Sequence, residues 1–134
     1  MIEIKGAPSI IESTNVHEVT KKWGSEKWIC NNEAEDYCSK LLYIKKGHST
    51  HMHFHIAKHE TFYVISGQLF LSYLDTSNAE TALRVVFKGE TVEIPRGLPH
   101  KLEAKGSDVE LIETSTYHRD SDSYRIGKME QDVN

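Results

Sequence analysis

Residues 48–60 read HSTHMHFHIAKHE and hold five histidines: His48, His51, His53, His55 and His59. So dense a tract is either a low-complexity metal scavenger or a patterned segment that aims particular rings at one point. In an extended chain, residues two apart share a face. His51, His53 and His55 then point one way, and Met52, Phe54 and Ile56 the other. An inward row of imidazoles has to be satisfied, because buried polar groups without partners are costly. A metal ion does this, since imidazole nitrogens bind one ion at about 2.0–2.1 Å.

The next extended run starts at Glu60. Its alternation puts Glu60, Phe62 and Val64 on one face, with Glu60 beside the histidines and His59 turned away. A fourth ligand has to come from elsewhere in the chain, and His100 is placed for it. It follows IPRGLP (94–99), whose two prolines and glycine pin the backbone. The candidate metal set is His53, His55, Glu60 and His100, three neutral nitrogens and one carboxylate. His48, His59 and His118 read as surface residues. His51 reads either as a pocket acid, base or donor, or as a histidine at the mouth.

Outward from this tract the chain is a series of short alternating runs. SKLLYIKKG, ETFYVISG, QLFLSYLD, ALRVVF, TVEIP, HKLEA and DVELIET are separated by Gly, Pro, Asn and Asp. About seven or eight short strands at regular spacing predict an all-β sandwich or barrel with little helix. Ser66-Gly67 reads as a hairpin turn, KGE as the turn into TVEIP, and HKLEA with DVELIET as a last pair around KGSD. The loop NNEAEDYC is the one place where a helical turn is expected. A single domain over 1–134 is expected, with an N-terminal arm and entry strands in 1–35, a barrel core in 40–115 and a polar tail in 116–134 that frays after Arg125.

Composition narrows the functional classes. Hydrophobic residues make up 38% and charged residues 27% of 134 residues, which suits a folded domain. Net charge is -4 and no basic run stands out, so nucleic acid is not an expected partner. No apolar run approaches the roughly 18 residues of a membrane span. MIEIKGAPSI has no long apolar run either, so a cytoplasmic location is expected. Cys30 and Cys38 match no common zinc or redox spacing and read as free thiols.

The residues from Gly47 to Gly67 run Gly47, five residues, His53-x-His55, four residues, Glu60, six residues, Gly67. Those from 89 to 100 run Gly89, five residues, Pro95-x-Gly97, two residues, His100. These resemble the two motifs of the cupin superfamily. Ala104 stands where the second motif usually has Asn, a position that is not a metal ligand in the family. The resemblance implies a double-stranded β-helix, the jelly-roll barrel, and one divalent metal ion (Mn, Fe, Zn, Co or Ni) on His53, His55, Glu60 and His100.

Three further stretches are similar to sugar-isomerase cupins, in particular type II phosphomannose isomerase domains and D-lyxose isomerases. They are KKWGSEKWI (21–29), the Ser49/His51/Met52/His53 form of the first motif, and LIETSTYHRDSDSYRIG (111–127). The tail is shorter than in the family, and Arg125 follows Tyr124 directly. The resemblance implies a metal-dependent aldose–ketose isomerase acting on a small sugar or sugar phosphate through a metal-stabilised enediolate. Glu113, Glu26 and His51 are then candidate catalytic groups, and Lys58, Arg96, Trp28 and Arg125 candidate substrate contacts. For Trp23 and Trp28, core packing and pocket closure both stand. A non-haem Fe(II) dioxygenase is an alternative, with the reservation that no Cys lies near the metal motif; a non-enzymatic metal- or sugar-binding cupin is another. The apolar face of Met52, Phe54 and Ile56, with Phe62-Tyr63, wants cover. The N-terminal ESTNVHEV or a second subunit would supply it, and a homodimer is expected.

Overall fold

Residues 37–44, YCSKLLYI, bury every second side chain: Cys38, Lys40, Leu42 and Ile44. Residues 109–115, VELIETS, do the same with Val109, Leu111, Glu113 and Ser115. Period-two burial is what a strand with one face on a core produces. The computed structural model describes residues 6–127. In chain order its strands are β1 (Glu18–Lys21), β2 (Gly24–Asn32), β3 (Tyr37–Ile44), β4 (His48–Ser49), β5 (His53–Phe54) and β6 (Glu60–Ser66). They continue with β7 (Gln68–Asp75), β8 (Glu80–Phe87), β9 (Thr91–Ile94), β10 (His100–Ala104), β11 (Val109–Ser115) and β12 (Tyr124–Arg125).

Two antiparallel sheets face each other. One runs β1-β2-β3-β11-β6-β9, and the other β12-β5-β10-β7-β8 with β4 also pairing β10. This is the expected all-β jelly roll. Trp23, Ile44, Phe62, Val64, Leu69, Leu71, Ile94, Leu102 and Leu111 are among the apolar side chains buried between the sheets. Each contributes roughly 1.5–3 kcal/mol relative to exposure. Phe62 therefore points inward and only Tyr63 faces out, so the two do not form one outer patch.

Three expected hairpins are links between sheets instead. β6 and β7 lie in different sheets, as do β8 and β9, and β10 and β11. A hairpin and a sheet-to-sheet crossover use the same turn residues, so turn chemistry does not separate them. At the first crossover Gly67 has φ 80, and a Cβ there would lie 2.2 Å from the Asp108 carbonyl oxygen. NNEAEDYC forms a β-turn connection between β2 and β3 rather than a helical turn. The helical pieces among the described residues are two 3₁₀ turns, at Ser13–Asn15 and Asp120–Asp122.

The histidine tract is less regular than its alternation suggests. β4 and β5 lie along the same edge of β10, with Glu103 opposite Ser49 and His100 opposite His53. Between them the Thr50 Oγ1 accepts from the Leu102 amide at 3.0 Å. A side chain has replaced a backbone acceptor in the ladder, so the strand is interrupted there and His51 lies outside it. The outer face is met by the C-terminal segment rather than the N-terminal one: Tyr124 of β12 stacks on Phe54 with centroids 5.2 Å apart. Ile56 stays 60% exposed. Of the expected frayed tail, residues 128–134 lie outside the described residues.

Gly67→Ala is expected to cost on the order of 2–4 kcal/mol, because a left-handed φ and a backbone clash add up. Gly47→Ala, at φ 82 with no atom within 4 Å of the new Cβ, should cost only about 1 kcal/mol. Denaturant unfolding of the two variants measures the difference.

Candidate metal centre

Strand register builds the site. Residues directly opposite in an antiparallel pair share a face. In one sheet, His100 lies opposite Tyr73 and His53, and His53 lies opposite Arg125. This makes one inward row, Tyr73–His100–His53–Arg125. The facing sheet supplies two rows, Trp28–Lys40–Glu113–Phe62 and Cys38–Ser115–Glu60–Ile94. Charged and metal-ligating side chains therefore meet between the sheets, at one end of the apolar core.

The donor atoms of His53, His55 and His100 all lie within 4.8 Å of one another. Glu60 Oε2 is 3.1 Å from His100 Nε2 and 3.6 Å from His55 Nε2. His55, Glu60 and His100 are each no more than 5% exposed. Each imidazole is oriented from behind. His53 Nδ1 donates to the His51 carbonyl at 2.7 Å, His55 Nδ1 to the Asp122 carbonyl at 2.9 Å, and His100 Nδ1 to the Leu98 carbonyl at 2.9 Å. A carbonyl only accepts, so Nδ1 carries the proton in all three and the Nε2 lone pairs are left for the centre. Burial, then the neighbouring His100, pushes His53 down to about 3. Burial, then Lys58, lowers His55. Both rings are thus neutral at neutral pH, the form that binds metals.

Glu60 Oε2 and His100 Nε2 are buried and, despite their proximity, have no hydrogen-bond partner among the described residues. Leaving such atoms bare costs about 1–3 kcal/mol each. A cation between them removes that cost, so three neutral imidazoles and one carboxylate fit a divalent ion. Burial acts to raise Glu60, but contact with His100 and Lys58 outweighs it and holds the carboxyl far below its usual range.

The loop between the ligands is gripped from two sides. The Asp122 carboxylate accepts from the amides of Ile56, Ala57 and Lys58 at 2.9–3.2 Å. Burial pushes Asp122 up, yet these donors bring it below the ordinary aspartate value. On the other side the Gly97 amide donates to the His55 carbonyl at 2.7 Å, and Arg96 Nε to the Ala57 carbonyl at 2.8 Å. The PRGLPH turn of one motif thereby clasps the HxH loop of the other.

A cavity of about 250 Å³ opens beside the donor set. His51, Trp28, Glu26, Lys58, Glu113 and Arg125 all line it. Arg96 is not part of its wall; it is exposed and spends its Nε on the loop. Lys58 is only 3% exposed, with Nζ 2.8 Å from Glu113 Oε2, 3.5 Å from Glu60 Oε1 and 3.1 Å from His118 Nδ1. Burial acts to lower it, but Glu113 and Glu60 outweigh that and raise it above the usual lysine range. Trp28 is hemmed in: Lys40 Nζ lies 4.1 Å from its ring centroid, His17 and His118 meet it edge-on, and Nε1 donates to Glu26 Oε1 at 3.0 Å. Trp23 packs in the core.

Several wall residues were not foreseen. Lys40, 2% exposed and 3.7 Å from Glu26, sits on the inward alternation of YCSKLLYI, so its burial was readable. His118, expected at the surface, has a side chain only 10% exposed and bridges Lys58 to Asp120. Burial, then Lys58 and Lys40, lowers its pKa. Cys38 is buried, and burial followed by Glu113 raises its thiol. Cys38 lies on the inward row that carries Glu60, with Ser115 between them, and is not part of the cavity wall.

Two outcomes are expected. Millimolar Zn, Mn, Co or Ni should raise the melting temperature of apo protein, and by about 2.7 kcal/mol of added stability at a hundredfold excess over Kd; His100→Ala should abolish the response. Asp122→Ala should weaken metal binding about 10–100-fold, read by competition with a chelating dye. The part of stability due to Asp122 is present above the ordinary aspartate pKa and lost as pH falls through its lower folded value, so the variant should lack it.

Similarity to known proteins agrees with this architecture. No curated protein matches the chain in sequence. Residues 40–115 match the family model described as the cupin domain. Among solved structures, the capsular polysaccharide assembling protein CapF from Staphylococcus aureus superposes with a TM-score of 0.73 at 23% identity. That match covers 88% of this chain and 37% of CapF. Oxalate decarboxylase from Bacillus subtilis superposes with a TM-score of 0.75 at 19% identity, over 91% of this chain and 33% of the enzyme. The chain thus spans about a third of either protein, and the likeness is one of fold. With the family model covering more than half of its length and both motifs converging on one buried donor set, the chain belongs to the cupin domain family.

Proposed function

We propose that the chain is a metal-dependent isomerase that moves a proton between adjacent carbons of a small hydroxy-carbonyl compound, an aldose–ketose pair. The observation that carries this reading is the placement of a buried carboxylate–ammonium pair, Glu113 and Lys58, against the metal donor set in one polar cavity. Such an isomerisation needs an acceptor for a carbon-bound proton, groups that hold oxygens, and a cavity that keeps water out. A divalent ion on His53, His55, Glu60 and His100 would supply Lewis-acid polarisation of the substrate oxygens.

Glu113 is the better of the two candidate bases. Glu26 Oε1 is already bonded to Trp28 and faces Lys40. Glu113 Oε2 faces Lys58 Nζ, with Ser115 Oγ at 3.4 Å. In the proposed step Glu113 takes the proton from C2 and returns it to C1, while the hydroxyl proton passes from O2 to O1. Nothing is gained or lost, so no further reactant is needed. Lys58 holds Glu113 in place and offers its charge to the substrate oxygens. His51 lines the same wall as a further donor. Trp28 shapes the wall rather than stacking on a sugar, since its surroundings are filled. The same proposal includes the expected homodimer, for which exposed Ile56 and Tyr63 offer apolar surface.

In D₂O, the metal-loaded protein should exchange the C2 proton of at least one aldose in a panel of free and phosphorylated sugars, read by NMR. Glu113→Gln should slow exchange about 10²–10⁴-fold with metal affinity little changed. Absence of exchange across the panel with every metal tested sinks the isomerase reading. Oxygen uptake with thiols or diketones in its place would favour the dioxygenase.

A further inference from the structure

The charges of the cavity wall do not cancel once an ion is bound, and one of them is left unpaired. Lys40 faces Glu26, and Lys58 lies between Glu60 and Glu113. Asp120 binds His118 and is 92% exposed. Lys21 and Arg125 complete the charged lining. Lysines and arginines thus equal carboxylates in number, four of each, leaving the histidines out of the count. A divalent ion leaves the wall with two net positive charges. Among the described residues, Arg125 makes no ion pair or side-chain hydrogen bond.

Register gives Arg125 its direction. β12 is a single short rung beside β5, with Tyr124 opposite Phe54 and Arg125 opposite His53. Tyr124 stacks on Phe54 on the outer face. Alternation therefore turns Arg125 to the inner face, on the same row as the donor His53, and it lines the cavity. The rung is fixed at its far end, where the Ile126 amide donates to the Met52 carbonyl at 3.0 Å. An unpaired guanidinium on a pinned strand, facing a cavity with excess positive charge, suits a forked anion.

We infer that Arg125 receives an anionic group of the substrate, a carboxylate or phosphate monoester carried by the same small hydroxy compound that reaches the metal centre. This rests on the proposed isomerase site and names its substrate class. The remainder of the wall follows from it. The buried cations, Lys40 and Lys58, are tied to carboxylates, so Arg125, exposed at the cavity rim, carries the discrimination between charged and neutral compounds. Lys21, whose charge acts on Asp120 at the mouth, adds long-range attraction without a fixed geometry.

The test uses calorimetry on metal-loaded protein with matched probes: glucose, glucuronate and glucose 6-phosphate, and erythrose with erythrose 4-phosphate. At least one charged probe should bind about tenfold or more tightly than its neutral parent. Comparing glucuronate with the two phosphates tells carboxylate from phosphate. Arg125→Gln should erase that preference while leaving the melting temperature and the metal response intact. Arg125→Lys should restore only part of it, because the charge returns without the fork. Equal binding of charged and neutral probes, no binding of any charged probe at millimolar concentration, or a preference that survives in Arg125→Gln each overturns the inference. Its failure is distinct from that of the isomerase reading. Proton exchange in neutral sugars alone removes the anion site and leaves the isomerase. Arg125-dependent anion binding without exchange does the reverse.

Discussion

Three Nδ1 protons given to three main-chain carbonyls set the rest of the site. His53, His55 and His100 are each held from behind by a backbone oxygen, which fixes the tautomer and the ring plane together. The unprotonated Nε2 atoms are then left to face a cation, and burial keeps the extra proton off His53 and His55. The carbonyls come from different places. His51 is in the break between β4 and β5, Leu98 in the proline turn, and Asp122 in the C-terminal 3₁₀ turn. His51 and Leu98 each lie two residues before the ring they aim, so Asp122 is the carbonyl whose misplacement disturbs a ring its own segment does not carry. Asp122 is doubly committed, because its carbonyl aims His55 while its carboxylate holds the loop that leads on to Glu60.

The second organising feature is the buried ammonium of Lys58. An unpaired charge at 3% exposure would be strongly destabilising. Here three acceptors surround it, matching its three N–H donors. It also divides the work of Glu60: Oε1 faces Lys58, so Oε2 is the oxygen turned to the histidines. One cation thus orients a candidate metal donor and a carboxylate of the cavity. Removing Lys58 would leave two carboxylates repelling each other, which is why it reads as a fixed part of the wall more than as a mobile substrate contact.

The donor set was legible because its information is local. Alternation over two residues decides His53 and His55, alternation in the next strand decides Glu60, and a rigid turn decides His100. Lys40 obeyed the same rule and went unnoticed only because a lysine on an inward face contradicts ordinary burial. His118 and Asp122 carry no such local sign. Their positions follow from where the C-terminal segment crosses β5, a contact between residues more than sixty apart. The sheet assignment failed for a related reason. Gly67 and Gly89 announce turns, and a turn does not say which sheet receives the next strand.

Those crossovers bear on chemistry as well as topology. Each sheet-to-sheet link sends consecutive strands to opposite walls, so neighbouring motifs face each other across the barrel interior. Glu60 begins β6 in one wall, while His53 and His100 lie in the other. In a meander of simple hairpins the same residues would line one sheet side by side, with no partner above them. The cavity also stays small because its floor is tied. Trp28 is held by Lys40, Glu26, His17 and His118, and it has little freedom to swing aside for a larger ligand. On the proposed reading, a compact site with an unpaired guanidinium at its rim would select by size and charge before it selects by stereochemistry. A variant that frees Trp28, such as Lys40→Met, would then be expected to relax the size limit while leaving the Arg125 charge preference in place.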